Sequence, residues 1–388
     1  MIAMGLGIAF GVFFKEGATQ IKIVGDLFLR LIQMSIPLLV FGQIVEAVAK
    51  LNPEDIGSMG RKTVLIFVVS SLAASVWGIL FALIFVPGHQ VLIDNPMNVE
   101  IGAQSISMMD TIRSFVPTNF MQALSSGNIM QIIVFSILFG MAFSLYRKGE
   151  MKSVLLPMLI EFNEIILGLI TLVMKLAPVG IFALVASIIG QMGVSVILPL
   201  LKYLLVYGLA TLTFLLLWIL VVSLTCKRNP LKLIGQFIPM SMMALATTSS
   251  AITLPLAMQE ARTRLGIKEK VTKFVLPLGM TLNSNGSSMH MAITVVTVSQ
   301  IYGLIYAPEQ LFFIAIVATL VSLANAVVPG AGLVSLAIII PQLGLPIESI
   351  AIFAGVEWFV GMLRTILNVT SDVFTALLVD RFETKEGF

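Results

Sequence analysis

Near the C-terminus, the stretch GVEWFVGMLRTILNVTSDVFTALLVDR places Glu357, Gly361, Arg364, Thr365, Asn368 and Asp372 at offsets of three or four. On a helix that spacing gathers them on one face. Near a helix end an arginine reaches the headgroups with its tip, but Arg364 lies about 17 residues from either end of its apolar run. A charge at the centre of a bilayer costs at least ~2.5–3.5 kcal/mol, so Arg364 requires an anion, a water-filled cavity, or both. Two partners are open to it. One is an internal ion pair with Glu357 or Asp372. The other is a solute carboxylate held bidentately, as guanidinium geometry favours, with Asn368 one turn further donating to a second carboxylate.

A second polar cluster interrupts the apolar run LPLGMTLNSNGSSMHMAITVV, residues 276–296, at Asn283, Ser284, Asn285, Gly286, Ser287 and Ser288. Lipid offers no hydrogen bonds, so such a break persists only where protein or water satisfies it. Broken helices at membrane depth are how many secondary transporters build a solute site near the midplane. His290, just past the break, reads as a structural histidine with its ring nitrogens satisfied rather than as a proton carrier.

The elements that position these groups are membrane spans. Of 388 residues, 58% are hydrophobic and 11% charged, against roughly 25% charged in soluble domains. The net charge of +3 is small and the cations lie between apolar runs, which argues against nucleic acid as a partner. One cysteine, Cys226, and two histidines, His89 and His290, exclude an intrachain disulfide and a Cys- or His-rich metal site. Sequences such as H-E-x-x-H and G-x-S-x-G are missing, which weighs against an intramembrane enzyme.

Apolar runs fall at about 2–14, 21–49, 63–86, 116–146, 154–190, 195–225, 269–300 and 347–380. Two further runs are interrupted: 233–260 at Thr247, Thr248, Ser249 and Ser250, and 309–343 at Asn325 and VVPGAG. Lys50, Arg61 and Lys62, then Arg147, Lys148 and Lys152, then Lys227, Arg228 and Lys232 follow alternate segments, while the alternate connections near 87–110, 187–198, 300–309 and 342–349 carry no Lys or Arg. The basic loops are therefore cytoplasmic. Run 233–260 has basic loops at both ends, and its two arms of ~12 residues are each short for a ~30 Å span. It reads as a hairpin dipping in from the cytoplasm, and 309–343, bare of cations, as one dipping in from outside. The fold class is an all-α polytopic membrane protein: eight transmembrane segments plus two re-entrant hairpins, arranged as inverted repeats.

TTSSAITLP, the LPLG…N-x-x-G-S break, VVPGAG and RTILNVTSD, in this order, resemble the dicarboxylate/amino acid:cation symporters, or glutamate transporter homologues, over nearly the whole chain. GDLFLRLIQMSIPLLVF (26–41) and APVGIFALVA (177–186) extend the resemblance. It implies a homotrimer working as an elevator: scaffold from 1–62 and 87–190, transport domain from 63–86 and 195–388. It implies that Arg364, helped by Ser287 and Thr365, grips the distal carboxylate of a small anionic solute. Asn368 would hold the main carboxylate, with Ser249, Ser250 and the second hairpin tip, Val328 and Gly332 included, enclosing the solute. Gly279, Asn283, Asn368 and Asp372 fall on one family sodium site; Thr281, Ser322, Leu323 and Asn325 fall on another.

Two departures modify those implications. The family's N-M-D-G-T is here Asn283-Ser284-Asn285-Gly286-Ser287, an amide replacing a carboxylate, and Ala73 and Ala74 stand where the family has hydroxyls. A hard cation prefers oxygen ligands, so this further sodium site is expected to be absent and sodium coupling weakened, with Glu357 and Asp372 left as titratable groups for proton coupling. Gly361 replaces an Asp that pairs with the solute ammonium in amino acid carriers. That favours dicarboxylates without an amino group, with a sodium- or proton-coupled aspartate/glutamate symporter as the alternative and an anion channel as the rival of another class. No organic cofactor is expected; the location is the cell (inner) membrane.

Overall fold

The computed structural model describes residues 2–50, 59–88, 113, 115–147, 153–193, 197–323 and 331–385; among these all regular structure is helical. The chain begins with α1 (Ile2–Phe14), α2 (Glu16–Gln20), α3 (Lys22–Gln33), α4 (Ile36–Ala49) and α5 (Arg61–Phe85). The expected run 21–49 is thus two helices, divided just ahead of Pro37; proline lacks the N–H a continuing helix needs and suits the first turn of a new one. Next come α6 (Phe120–Ser126), whose first N–H groups are accepted by the Asn119 side chain, and α7 (Ile129–Arg147). Run 154–190 divides in the same way, into α8 (Leu155–Met174) and α9 (Ala177–Met192), ahead of Pro178.

The remainder forms α10 (Ile197–Cys226), α11 (Pro230–Thr247), α12 (Ser250–Thr263), α13 (Glu269–Leu282), α14 (Asn285–Ile301), α15 (Pro308–Ser322), α16 (Ala331–Gln342), a 3-10 turn at Ile347–Ser349, α17 (Ile350–Ala354) and α18 (Glu357–Lys385). The same order appears twice: a helix pair (α11–α12, α15–α16), then a run broken in its middle. The first such run breaks at Asn283–Ser284, the second at Gly355–Val356. α11, at 18 residues, and α12, at 14, are longer than the arms expected from sequence. The amide of Gln236, early in α11, donates to the Arg264 carbonyl beyond α12 at 2.6 Å, so α12 returns to the level at which α11 began.

Six stretches among the described residues are long and apolar enough to cross a bilayer: 17–49, 61–85, 129–146, 155–174, 198–226 and 357–383. Two of the eight expected segments do not qualify by length: α1 has 13 residues, and 269–300 is divided by its break. The chain is a multi-pass membrane protein. Leu65, Val69, Ile84, Leu205, Leu212 and Leu224 leave their side chains uncovered on α5 and α10, which hydrocarbon accepts and water does not. α14 is the opposite case, buried at every residue from Asn285 to Ser299 among α5, α15 and α18.

Charge sorts the two ends. Lys62 pairs with Glu383 at 3.0 Å, and the Lys268 amide donates to Asp380. The basic loops ahead of α5 and α13 therefore meet at the C-terminal end of α18. At the other end Lys202 donates to the Val86 carbonyl at 3.0 Å, and Gln300 accepts from the Gly88 amide.

Candidate solute site

Arg364 is 3% exposed. It is not at the middle of a continuous helix, as its run suggested, but seven residues into α18, because Gly355–Val356 interrupts the run. Its depth comes instead from what surrounds it. Nη1 lies 3.1 Å from Glu357 Oε1, two turns back on the same helix face. That oxygen also accepts the Gly332 backbone N–H at 3.0 Å, from the first turn of α16. Of the two internal partners open to Arg364, Glu357 is the one found. Asp372, two turns further along, accepts from the Asn283 amide at 2.8 Å.

The break in 269–301 delivers backbone to the same place. α14 begins with N–H groups that no earlier turn can satisfy; the Gly286 N–H is taken by Asn368 Oδ1 at 2.7 Å. Asn368 Nδ2 reaches Ser287 Oγ at 3.4 Å, and Tyr207 of α10 donates to the Gly286 carbonyl at 3.0 Å. Gly286 is required because a Cβ there would run into the Arg364 backbone, 2.9 Å from its Cα and closer still to its carbonyl oxygen. Gly332 is required on the other side, where a Cβ would overlap Arg364 Nη1 and both Glu357 carboxylate oxygens.

The tip between α11 and α12 closes the remaining side. Thr248 takes a left-handed backbone, φ +48, a conformation strained for a β-branched residue, and its Cβ faces Gly361. A Cβ at Gly361 would stand 3.7 Å from Arg364 Nη2 and 3.9 Å from Thr248 Cβ, so glycine leaves open space beside the guanidinium. The Ser249 hydroxyl oxygen caps α12 by accepting the Ile252 N–H, while the Thr247 hydroxyl donates back to the Met243 carbonyl. Thr365 Oγ1 is bonded to the Gly361 carbonyl of its own helix. Ser250 is half-buried, and Val328 and Asn325 lie outside the described residues. Four interrupted elements thus converge on one buried cation.

A model of the family described as "Sodium:dicarboxylate symporter family" matches residues 1–382. This chain belongs to that family. It is similar to the "Proton/sodium-glutamate symport protein" of Bacillus caldotenax, 29% identical over 98% of this chain and 93% of that one. It is also similar to the "Proton/glutamate-aspartate symporter" of Escherichia coli (strain K12), 29% identical over 99% and 92%. A more distant likeness is the "Neutral amino acid transporter B(0)" of Mus musculus, 28% identical over 98% and 79%.

Membership of the sodium:dicarboxylate symporter family raises the question of cation ligands. Gly279, Asn283 and Asp372 are together: besides the 2.8 Å amide bond, a Cβ at Gly279 would stand 2.5 Å from Asp372 Oδ1. The Asn283 amide turns its N–H toward the Asp372 carboxylate, and its Oδ1 accepts from Ser70. Thr281 and Leu323 line one cavity of about 500 Å³ between α4, α8 and α13, whereas the Ser322 hydroxyl is bonded to the Thr319 carbonyl.

At the altered site Ala73 is exposed and Ala74 buried, and neither side chain brings an oxygen. Ser70 and Ser71, one turn earlier, do. Their hydroxyls donate to Asn285 Oδ1 at 3.2 and 2.8 Å, and Ser70 also to Asn283 Oδ1 at 3.3 Å. Hydroxyls thus reach Asn283 and Asn285 from the turn before Ala73 and Ala74, and the side chains so joined are all neutral. Asn285 Nδ2 is buried without a hydrogen-bond partner, an N–H group where an aspartate would present a second oxygen.

Sequence reasoning missed Tyr203 and Tyr207. Tyr203 is bonded to Thr294 at 2.7 Å and the two tyrosine rings stack. His290 lies edge-on to both, and neither of its ring nitrogens has a hydrogen-bond partner. The expected satisfied histidine is therefore not what the structure contains. A tyrosine pair four residues apart in an apolar helix carries no signal beyond packing.

Proposed function

We propose that the chain is a cation-coupled symporter of acidic amino acids, glutamate and aspartate foremost, working as a homotrimeric elevator. The observation that carries this reading is a buried guanidinium, Arg364, with the Gly332 N–H beside its carboxylate partner, the Gly286 backbone against its own main chain and Thr248 near its tip, a setting that suits a carboxylate. The names of the bacterial relatives, glutamate and glutamate-aspartate symporters, favour amino acids over the amine-free dicarboxylates that Gly361 suggests. The crossing segments are those eight expected from sequence, α11–α12 and α15–α16 entering as re-entrant hairpins from opposite faces. Residues 1–62 and 87–190 form the scaffold, and 63–86 and 195–388 the moving part.

Sodium, where it binds, is held at Gly279, Asn283 and Asp372. Reduced dependence on it follows from the neutral donor set at Ser70, Ser71, Asn283 and Asn285, since a cation taken out of water without an anion is costly. The test is uptake of radiolabelled glutamate, aspartate, malate and succinate into proteoliposomes under sodium or proton gradients. Saturable counterflow of glutamate or aspartate is expected, with partial loss when choline replaces sodium. Flux that never saturates would make the protein a channel, and steep, absolute sodium dependence would restore the third cation.

A further inference from the structure

Glu357 occupies the place a solute carboxylate is expected to take. Its Oε1 accepts from Arg364 Nη1 at 3.1 Å and from the Gly332 N–H at 3.0 Å, so the acid sits between the guanidinium and the first turn of α16. Its Oε2 is buried with no hydrogen-bond partner. Glu357 is 6% exposed, so water does not solvate it in place of Arg364. A solute that engages Nη1 competes with this internal carboxylate for the same donors. Once displaced, Glu357 would be an uncompensated buried charge, a state proteins avoid by taking up a proton.

We propose that Glu357 is the coupling acid of this carrier: the solute carboxylate displaces it from Arg364, and it binds one proton as the solute binds. The exchange balances. Arg364 passes its ion pair from Glu357 to the solute, and the proton converts the freed carboxylate to a neutral acid, so with a solute of net charge −1, such as glutamate or aspartate, the loaded site carries the same net charge, zero, as the empty one. Release on the other side reverses both steps, and Arg364 is never left alone in the membrane during the empty return. This rests on the symport reading above and names its coupling ion.

The other titratable groups facing this point are few. Tyr203 and Tyr207 of α10 are bonded to Thr294 and to the Gly286 carbonyl, and His290 of α14 lies against both rings. Gly332 contributes only backbone from α16. Lys202 of α10 is held by the Val86 carbonyl, and on α18 itself Asp372 is bonded to Asn283. Arg61, Lys62, Lys232, Glu260, Arg262, Glu269, Lys270 and Lys273, on α5 and α11–α13, belong to the basic end where Lys62 meets Glu383. None of these stands between Arg364 and Glu357.

Calorimetric titration of the purified protein with L-glutamate, L-aspartate and succinate, in two buffers of different ionisation enthalpy, counts protons directly. About one proton taken up per solute bound is expected, with affinity rising up to about tenfold for each unit the pH falls. Glu357→Gln is expected to abolish the uptake and flatten the pH profile; should that variant not fold, the wild-type count decides. Binding with no proton uptake, or a slope retained in Glu357→Gln, overturns the assignment and leaves the symporter reading standing. No binding of any of the three overturns both.

Discussion

A guanidinium buried beside one carboxylate makes an asymmetric demand on substitution. Arg364→Ala removes the donor and leaves Glu357 buried without its cation. Loss of a charge-assisted pair costs about 1.5–3 kcal/mol on the solute side alone, so affinity for acidic solutes is expected to fall at least about 10- to 100-fold in a binding titration. Arg364→Lys keeps the charge but loses the planar fork, and is expected to recover less than half of that loss in free energy. Wild-type affinity in Arg364→Ala would place the solute elsewhere. The choice between the ion-pair and solute readings of Arg364 was open in the sequence for a physical reason. Glu357 and Asp372 are both two turns from it, and only the approach of Gly332 to Glu357 and of Asn283 to Asp372 separates their roles.

Among the helices, two glycines at the same arginine distinguish close approach of backbone from close approach of side-chain tips. At Gly286 an added methyl meets the Arg364 main chain, which has nowhere to move. Gly286→Ala is expected to destabilise the protein by about 1–3 kcal/mol, as overpacking does, seen as a lower Tm in detergent. At Gly332 the methyl meets the ends of two flexible side chains, which can swing aside. Gly332→Ala is expected to add little overpacking cost and to lower Tm only through the lost N–H to Glu357 bond, about 1–3 kcal/mol, while weakening solute affinity, because the ion pair and its backbone donor separate. Asn368→Ala uncovers the Gly286 N–H; a buried donor left unpaired costs about 1–3 kcal/mol, again readable as Tm. The breaks at 247–250 and 283–288 were legible because hydroxyls and amides clustered in apolar sequence. The divisions at 34–35 and 175–176 were not, since one proline in an apolar run is equally compatible with a kink. The approach of Ser70 and Ser71 to Asn285 was not legible, because no local pattern on α5 tells which face meets it.

At the scale of the whole molecule the decisive question is sidedness, because the solute site depends on α11–α12 turning back inside the membrane. The bond from Gln236 to the Arg264 carbonyl and the meeting of Lys62, Lys268, Asp380 and Glu383 agree with one cytoplasmic face carrying all of these loops, as the distribution of Lys and Arg requires. A helix pair that crossed once would separate Arg228 from Arg264 by the bilayer. In a Cys226→Ala background, single cysteines at Arg228 and Arg264 are therefore expected to react with a membrane-impermeant thiol reagent from the same side. A cysteine at Ile305, which is 95% exposed between α14 and α15, is expected to react only from the other side. Were the cysteines at 228 and 264 to label from opposite sides, Thr248 could not lie at the end of a re-entrant loop, and the proposed hairpin α11–α12 would be lost. Labelling of 228 and 264 together, with 305 opposite, is what a helix pair α11–α12 that turns back within the membrane requires, and it would let the Thr248 turn approach the arginine from the cytoplasmic phase, as alternating access to a single buried charge would use.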